Sequence, residues 1–343
     1  MKNRFGAVAL SLGVALFLGL IIWQGAAPVA ATLALAGWGL LGLAAFHVLP
    51  LVLDAAAIDA LRAGLQAAAP RRAWLTSLQA RWIGESVNSL LPAGQLGGPV
   101  AMVRQLTEPG MSGADAAAVV TVSTTMQTLA QLAFALIGAA LCVTRLAHAA
   151  TEGILLTLAA VLVIFVLLLG GLYITQRRGM FGRLARFLPK FGGKRDWSAW
   201  LSRAEAMDAS VRALYAAPWP VFYSFLLSLL GWLVGTGEVW LALRCIDHPV
   251  GWVDALLLES LGQAIRGAAF AIPASLGVQE GGYLLLAPLV GLPPHAALAL
   301  SLAKRAREIL LGLPGLICLH FVERHRGRRL TRAMKPSTAE RGG

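Results

Sequence analysis

Six long apolar runs constrain the fold of this chain more than any other feature of its sequence. A helix rises ~1.5 Å per residue, so about 20 apolar residues cross the ~30 Å hydrocarbon core of a bilayer. The composition agrees, because 57% hydrophobic and 13% charged residues leave too little polar surface to cover a soluble globule. We predict an all-α polytopic membrane protein whose six spanning helices run over residues 6–23, 29–53, 116–143, 152–175, 219–243 and 295–320.

Two stretches interrupt this apolar pattern in the same way. Residues 88–98 read NSLLPAGQLGG, and residues 269–282 read AFAIPASLGVQEGG. Each contains a proline, glycines and a glutamine, which break a helix and need hydrogen-bond partners. In hydrocarbon such a backbone is tolerated only where it is buried in protein or lines a wet cavity. We predict two re-entrant helical hairpins, around Pro92 and Pro273, that enclose a cavity.

The two halves of the chain share one order of segments, namely two spans, a hairpin and one span. Three crossings separate the hairpins, so the second enters from the opposite face, as in an inverted repeat with a transport site near the midplane. An alternative in which both limbs of each hairpin cross stays open, because it also adds an even number of crossings. The predicted units are a first repeat, a second repeat and a disordered basic tail, over residues 1–150, 151–323 and 324–343.

The position of the positive charge predicts the orientation in the membrane. The chain has 29 Lys and Arg against 17 Asp and Glu, and most of the basic residues share one side if the N-terminus is cytoplasmic. The positive-inside rule then places both termini in the cytoplasm. The basic loops are explained by topology and anionic lipid, and we expect no nucleic-acid partner. Helical spacing of apolar residues predicts an interfacial helix within the basic loop 176–217, and residues 54–72 are expected in the same plane.

Ionisable residues inside membrane segments are the strongest candidates for a site, since each costs at least ~2.5–3.5 kcal/mol to insert. Glu85 and Arg266 stand the same distance before Pro92 and Pro273. Opposite charges at equivalent places predict a pair. The sequence leaves open two roles for it: a structural ion pair, or a gate and head-group contact.

A second group of charges lies in the last span, where Lys304, Arg305 and Arg307 crowd one turn beside Glu308. Three cations exceed one carboxylate. The surplus favours an anionic group on the substrate, and snorkelling from a tilted helix end is the alternative.

The candidate substrate path or gate combines the charged, polar and helix-breaking residues of the two hairpins and the last span. Its members are Glu85, Asn88, Pro92, Gln95, Gly97, Gly98, Arg104, Arg266, Pro273, Gly277, Gln279, Glu280, Lys304, Arg305, Arg307 and Glu308.

Catalytic, metal and nucleotide motifs are missing from the sequence. The three cysteines and six histidines show no ligand spacing, and neither GxxxxGK[ST] nor GxSxG occurs. We therefore expect no enzyme, no metal and no cofactor. Without an ATPase motif, any transport would be passive or ion-coupled.

Three segments carry a resemblance to a known family. RWIGESVNSLLPAGQLGG (81–98), LESLGQAIRGAAFAIPASLGVQEGG (258–282) and LALSLAKRARE (298–308) resemble the hopanoid-biosynthesis-associated membrane proteins. These form a branch of the flippase-like superfamily that includes the transmembrane domain of lysylphosphatidylglycerol synthase. The resemblance covers nearly the whole chain and implies a multi-pass protein of the bacterial inner membrane that is linked to lipid movement, hopanoids included. No sign of the soluble aminoacyl-transferase domain is found, so that activity is not expected.

Two functions from different classes follow. The favoured one is a lipid flippase or transporter whose partners are membrane lipids, either a hopanoid or an anionic lipid. The alternative is a non-transporting scaffold or membrane-embedded enzyme of terpenoid-lipid biosynthesis. A hopanoid body needs no cationic pocket, so the cations of the last span favour an anionic lipid.

Overall fold

The computed structural model describes residues 22, 26–65, 73–91, 97–107, 111–146, 163, 167–168, 170–187, 198–269, 272 and 275–333, and most of these residues are helical. No β-strand occurs in these residues. The helices are α1 (Ala26–Ala36), α2 (Gly39–Leu65), α3 (Ala73–Leu90), α4 (Gly97–Leu106), α5 (Gly113–Leu146), α6 (Met180–Phe187), α7 (Ser198–Ala216), α8 (Pro218–Cys245), α9 (Trp252–Ala268), α10 (Val278–Leu286), a 3-10 helix (Ala287–Val290) and α11 (Pro294–Ala333).

Three of the described helices, α2, α5 and α8, are long and apolar enough to cross a membrane. They account for three of the six predicted spans. The run 295–320 lies within α11, whose charged residues make it less apolar. Gly37, with φ of 44°, divides the run 29–53 between α1 and α2. The run 6–23, except Ile22, and most of 152–175 lie outside the described residues, so the number six stays a prediction.

Each predicted hairpin is a pair of packed helices, α3 with α4 and α9 with α10. The second limbs have 10 and 9 residues, about 15 Å, which is half of a ~30 Å hydrocarbon core. The first pair is held closely together. The side-chain oxygen of Asn88 accepts a 2.8 Å hydrogen bond from the Gly98 N–H, and a Cβ on Gly98 would lie 2.5 Å from the Gly84 carbonyl oxygen.

The helix contacts correspond when the two halves of the chain are exchanged. Helices α2 and α8 pack on each other, α3 contacts α11 as α9 contacts α5, and α8 contacts α5 as α2 contacts α11. Glycines allow the closest of these approaches, since a Cβ on Gly315 would overlap Ser86 and a Cβ on Gly138 would overlap Ser260. The first limb of each hairpin therefore packs on the last long helix of the other half.

The outer surface of the bundle is apolar in the way that a lipid-facing surface requires. Leu313, Ile317 and Phe321 on α11 are each more than half exposed, and so is Trp219 on α8. Their counterparts inside the bundle are alanines, leucines and valines that are almost fully buried. The helices thus expose large apolar side chains on one face while charged residues of α8, α9, α10 and α11 are buried on the other.

The basic loop 176–217 contains the predicted helix as α6. The carboxylate of Asp208 on α7 accepts hydrogen bonds from the N–H groups of Phe181 and Gly182, at 3.0 and 2.6 Å, near the N-terminus of α6. A carboxylate there is favourable because the first N–H groups of a helix lack partners. Leu184 and Phe187 are exposed, as an interfacial helix requires.

Two local predictions are wrong. Residues 54–65 do not form a separate interfacial segment, because α2 continues through them to Leu65 and buries Ile58 and Leu61. The basic tail is not disordered from residue 324, because α11 continues to Ala333. Residues 334–343 lie outside the described part of the chain, as do residues 66–72.

Candidate functional site

Six ionisable side chains from four helices meet inside the bundle, and we call them the central cluster. Helix α2 supplies two, α3 supplies two, and α8 and α11 supply one each, although these positions are far apart in sequence. No side chain in the cluster is more than about a quarter exposed. The members are His47, Asp54, Arg81, Glu85, Glu238 and Arg307.

The central cluster is a continuous chain of ion pairs. Arg81 Nη2 lies 2.7 Å from Asp54 Oδ2 and 3.9 Å from Glu85 Oε2. Arg307 Nη1 lies 3.4 Å from Glu85 Oε1, and both its Nε and Nη2 lie 3.0 Å from Glu238 Oε1. Glu85 therefore joins the two guanidinium groups.

His47 occupies the centre of this chain. Its Nδ1 lies 2.6 Å from Glu238 Oε2, and its Nε2 lies 2.8 Å from Glu85 Oε1. Arg307 Nη1 is 3.3 Å from the same Nε2. The imidazole thus bridges a carboxylate of α3 to a carboxylate of α8.

A second network, the hairpin cluster, ties α9 and α10 to α11. Arg266 donates to Glu308 Oε1 at 2.7 Å and to Gln279 Oε1 at 3.1 Å. Arg305 donates to Glu280 Oε1 and to Glu308 Oε2, both at 3.2 Å. Ser301 completes the network, because its hydroxyl donates to Glu280 and accepts from Gln279, both at 2.9 Å. The members are Arg266, Gln279, Glu280, Ser301, Arg305 and Glu308.

A third element is the pair between Lys304 and Glu259, whose Nζ and Oε2 atoms are 2.5 Å apart. Both side chains are less than 5% exposed. The Tyr283 hydroxyl donates to the same carboxylate oxygen at 3.2 Å, and Gln263 donates to the other at 2.8 Å. The pair is therefore enclosed and fully hydrogen-bonded at the carboxylate.

A small pocket opens onto the central cluster between α2, α3 and α11. It contains about 250 Å³ of space, part of which is open to the outside. Glu85 is the most accessible carboxylate in contact with it, at 24% exposed, whereas Glu238 behind it is 3% exposed. The lining residues are His47, Leu51, Trp82, Glu85, Ser86, Ser89, Arg307, Glu308, Leu311 and Gly312.

The family profile of the lysylphosphatidylglycerol synthase TM region matches residues 9–315, most of the chain. The chain belongs to this family. It is accordingly a membrane protein of a lipid-related family, which agrees with its three long apolar helices. Comparison with curated proteins and with solved structures gives no match. Both charged clusters and the pocket lie within the part of the chain that the family covers.

The predicted ion pair between Glu85 and Arg266 is not formed in the structure. Glu85 contacts His47 and Arg307, and Arg266 contacts Glu308. The physical reason is the position of α11, which presents the consecutive residues Arg307 and Glu308 to the two hairpins. Each hairpin charge therefore finds its partner on α11.

The predicted cation surplus of the last span is also wrong. Lys304 is neutralised by Glu259, Arg305 by Glu280 and Glu308, and Arg307 by Glu238 and Glu85. The missing carboxylates come from other helices, so counting along one helix could not include them. Because the anionic substrate was inferred from this surplus of cations, that inference no longer has support.

Other predicted path residues have different places. Arg104 is exposed and pairs with Glu323 at 2.6 Å, away from both clusters. Asn88 joins the limbs of the first hairpin at Gly98, and Gly97 begins α4 beside it. Gly277, with φ of 76°, precedes α10 in a backbone conformation that suits glycine. Pro92, Gln95 and Pro273 lie outside the described residues.

Sequence reasoning left several members of the site out of the candidate path, although each had a usable signal. His47 and Glu238 are polar residues within apolar runs, which is itself a sign of a functional position in a membrane helix. Asp54 lies in the segment 54–72 that was expected at the interface, and Arg81 and Glu259 are ionisable residues of the two hairpin segments. The same signal in the predicted spans and hairpins indicates four of these five residues, and Asp54 directly follows the predicted span 29–53.

Proposed function

We propose that this chain is a lipid flippase or transporter in which a lipid head group passes the central cluster while its apolar tails stay in the bilayer. One observation carries the proposal: a pocket between α2, α3 and α11 opens directly onto buried, ion-paired residues of a membrane protein. Burying charges in a membrane protein is costly, and such residues commonly mark a substrate or ion pathway. The lipid-related family supports the same direction.

The pocket is too small to enclose a whole lipid, because its enclosed part has room for only about one water molecule. Under this proposal the surrounding helices must move apart to admit a head group. The polycyclic or acyl body stays outside, against the exposed apolar side chains of α11.

The polar groups at the pocket decide what kind of head group fits. The Arg307 guanidinium is only 5% exposed and is engaged by two carboxylates. Glu85 is the more accessible of the charged groups here, and its Oε2 atom has only a 3.9 Å contact to Arg81. An anionic group would meet this carboxylate first, so the pocket does not favour an anionic lipid over a neutral or zwitterionic one.

The proposed architecture places the two hairpins as re-entrant elements that enter from opposite faces. Short second limbs and the exchange of helix contacts between the halves support this arrangement. In such transporters, paired interrupted helices meet near the membrane midplane and form the site. Location in the bacterial inner membrane and a link to hopanoids rest on the sequence resemblance alone.

The test is lipid movement by the purified full chain in vesicles of phosphatidylethanolamine and phosphatidylglycerol. A trace of tail-labelled fluorescent phosphatidylethanolamine is bleached from outside by dithionite. Without lipid movement, dithionite reaches only the label in the outer leaflet, about half of the total. With wild-type protein we expect more than half of the label to be bleached. Repeating the assay with a labelled hopanoid addresses the second substrate class.

A blocking variant links movement to the pocket. Ser89→Trp places a large side chain at the pocket wall and should stop movement, whereas Thr124→Trp, at an exposed position of α5, should not. Folded wild-type protein that leaves the inner-leaflet label protected, with every lipid tried, would refute the flippase. The scaffold or membrane-embedded enzyme would then be the better hypothesis. Equal movement by Ser89→Trp would remove the pocket from the path.

A further inference from the structure

His47 is held by hydrogen bonds that one neutral ring cannot make. Both of its ring nitrogens lie within 2.8 Å of a carboxylate oxygen, one from Glu85 and one from Glu238. An ionised carboxylate only accepts hydrogen bonds, so a nitrogen facing it must donate. Neutral imidazole carries one N–H, and imidazolium carries two. The trio therefore contains one proton more than a neutral ring and two carboxylates would.

The charge balance of the central cluster also requires this additional proton. Three carboxylates, those of Asp54, Glu85 and Glu238, face two guanidinium groups, those of Arg81 and Arg307. The guanidinium groups stay charged at any ordinary pH. Without the additional proton the cluster has a net charge of −1, and with it the charge is zero. An uncompensated charge in a buried ion-pair network is strongly unfavourable.

The other two networks do not have this property. The hairpin cluster contains two guanidinium groups and two carboxylates, and Lys304 matches Glu259 one to one. Both are balanced without a titrating imidazole. Among the networks that the described residues form, the central cluster is the one whose balance depends on a proton.

The groups that face His47 come from every helix packed around it. Helix α3 contributes Glu85, α8 contributes Glu238 and α11 contributes Arg307, while Asp54 on α2 itself is paired with Arg81. Arg307 Nη1 can only donate and lies 3.3 Å from Nε2, whereas the accepting Glu85 oxygen is nearer, at 2.8 Å, so the shorter contact favours a proton on Nε2. The pocket reaches His47 and Glu85, so a proton can exchange with the surroundings on that side.

We propose that His47 is a reversible proton-binding site and that its proton is the coupling ion for lipid movement. The coupling to lipid movement rests on the proposed function. On release, one N–H bond of the imidazolium breaks and the proton leaves to water through the pocket. The ring keeps its electron pair as neutral imidazole and keeps one N–H. One of its two carboxylate contacts is then lost, which breaks the bridge that the ring makes between Glu85 on α3 and Glu238 on α8. Because α3 and α8 belong to different halves of the chain, the proton controls a link between those halves.

The first test needs no lipid substrate. The full chain with ¹⁵N-labelled histidine is placed in nanodiscs, and ring-nitrogen NMR signals report which rings are doubly protonated. We expect the signal of a fully charged His47 ring at pH 7, which disappears in His47→Gln and persists in His320→Gln, a change at an exposed histidine of α11. The ring should become neutral reversibly as the pH rises while the protein stays folded.

A second variant covers the case in which His47→Gln does not fold. Glu85→Gln removes one of the two carboxylates that retain the proton, so the ratio of charged to neutral ring should shift roughly tenfold or more toward neutral. A neutral His47 ring at pH 7 would overturn the site. So would a ring that stays charged at every pH at which the protein is folded.

The coupling is tested in vesicles with tail-labelled phosphatidylethanolamine, with and without an imposed pH gradient. Wild type and His320→Gln should move lipid several-fold faster in one gradient direction, and His47→Gln should lose this dependence. Movement by wild type that ignores the gradient would refute the coupling. If no lipid moves but the His47 ring titrates reversibly, the proposed function fails and the proton-binding site stands.

Discussion

Replacing Glu259 by glutamine leaves Lys304 without its counter-charge in the interior of the protein. The two side chains are 4% and 1% exposed, and their charged atoms are 2.5 Å apart. Glutamine keeps the shape and can still bond to Tyr283 and Gln263, so the loss is almost purely one of charge. The pair therefore isolates the value of a buried ion pair better than the connected clusters do.

The magnitude follows from the desolvation of the remaining ion. Removing one partner of a buried pair typically costs about 3–5 kcal/mol, because the other charge stays buried and unpaired. Lys304→Met should cost a similar amount, since it leaves Glu259 as the unpaired charge. Removing both charges at once is often neutral or stabilising. The double variant Glu259→Gln with Lys304→Met should therefore recover most of the loss.

The measurement is the free energy of unfolding in detergent micelles to which a denaturing detergent is added. Wild type, the two single variants and the double variant form a double-mutant cycle. Glu205→Gln is the matched control, because this carboxylate is more than half exposed and lies 3.5 Å from Arg186. An exposed pair contributes about 0–1 kcal/mol, so the control should change little. A double variant that is as unstable as the worse single variant would show that the charges do not act as a pair.

Two further predictions concern topology and backbone. A cysteine at Arg203, in a background without the native cysteines, should be shielded from an impermeant thiol reagent in intact spheroplasts; labelling from outside would contradict the orientation in which the basic loops are cytoplasmic. Gly277→Ala should destabilise the fold by about 1–2 kcal/mol, because Gly277 has φ of 76° and a side chain is strained there. Gly235→Ala, on α8 with nothing near its Cβ position, is the control, and equal melting temperatures for the two variants would refute this assignment.

The sequence predicts the local architecture of this fold well. Both polar breaks separate two packed helices, and a helix, α6, forms where the apolar spacing in the basic loop predicts one. These features depend on residues that are close in sequence, since proline, glycine and helical periodicity act within a few positions. The boundaries of the long helices are less predictable, as the extension of α2 to Leu65 and α11 to Ala333 shows.

The ion pairs of the site were not predictable in the same way, because their partners come from different helices. Arg307 pairs with residues of α3 and α8, and nothing in the sequence around position 307 indicates which carboxylate will face it. What the sequence does indicate is that a partner must exist, since an unpaired charge inside a membrane is costly. Equal distance from a proline predicts that Arg266 is the partner of Glu85, and this prediction is wrong.

The helix contacts suggest a better correspondence between the two hairpins than the prolines do. Ser86 meets Gly315 where α3 crosses α11, and Ser260 meets Gly138 where α9 crosses α5. Each serine directly follows a glutamate, so this register matches Glu85 with Glu259. The register counted from the prolines is two helical turns away from it. Because both glutamates face charged residues of α11, the contact register also accounts for their similar chemistry.

This register makes a prediction about the two glycines. A Cβ at either position would overlap the facing serine, so Gly315→Ala and Gly138→Ala should each cost about 1–3 kcal/mol through overpacking, against a gain of up to ~1 kcal/mol from helix propensity. Removing the serine side chain makes room, so Ser86→Gly should rescue Gly315→Ala, and Ser260→Gly should rescue Gly138→Ala. Crossed combinations should not rescue, because the contacts are separate. Unfolding free energies of the paired and crossed double variants measure this directly. Rescue at one crossing but not at the other would mean that the two crossings are not equivalent, and the contact register would then be wrong.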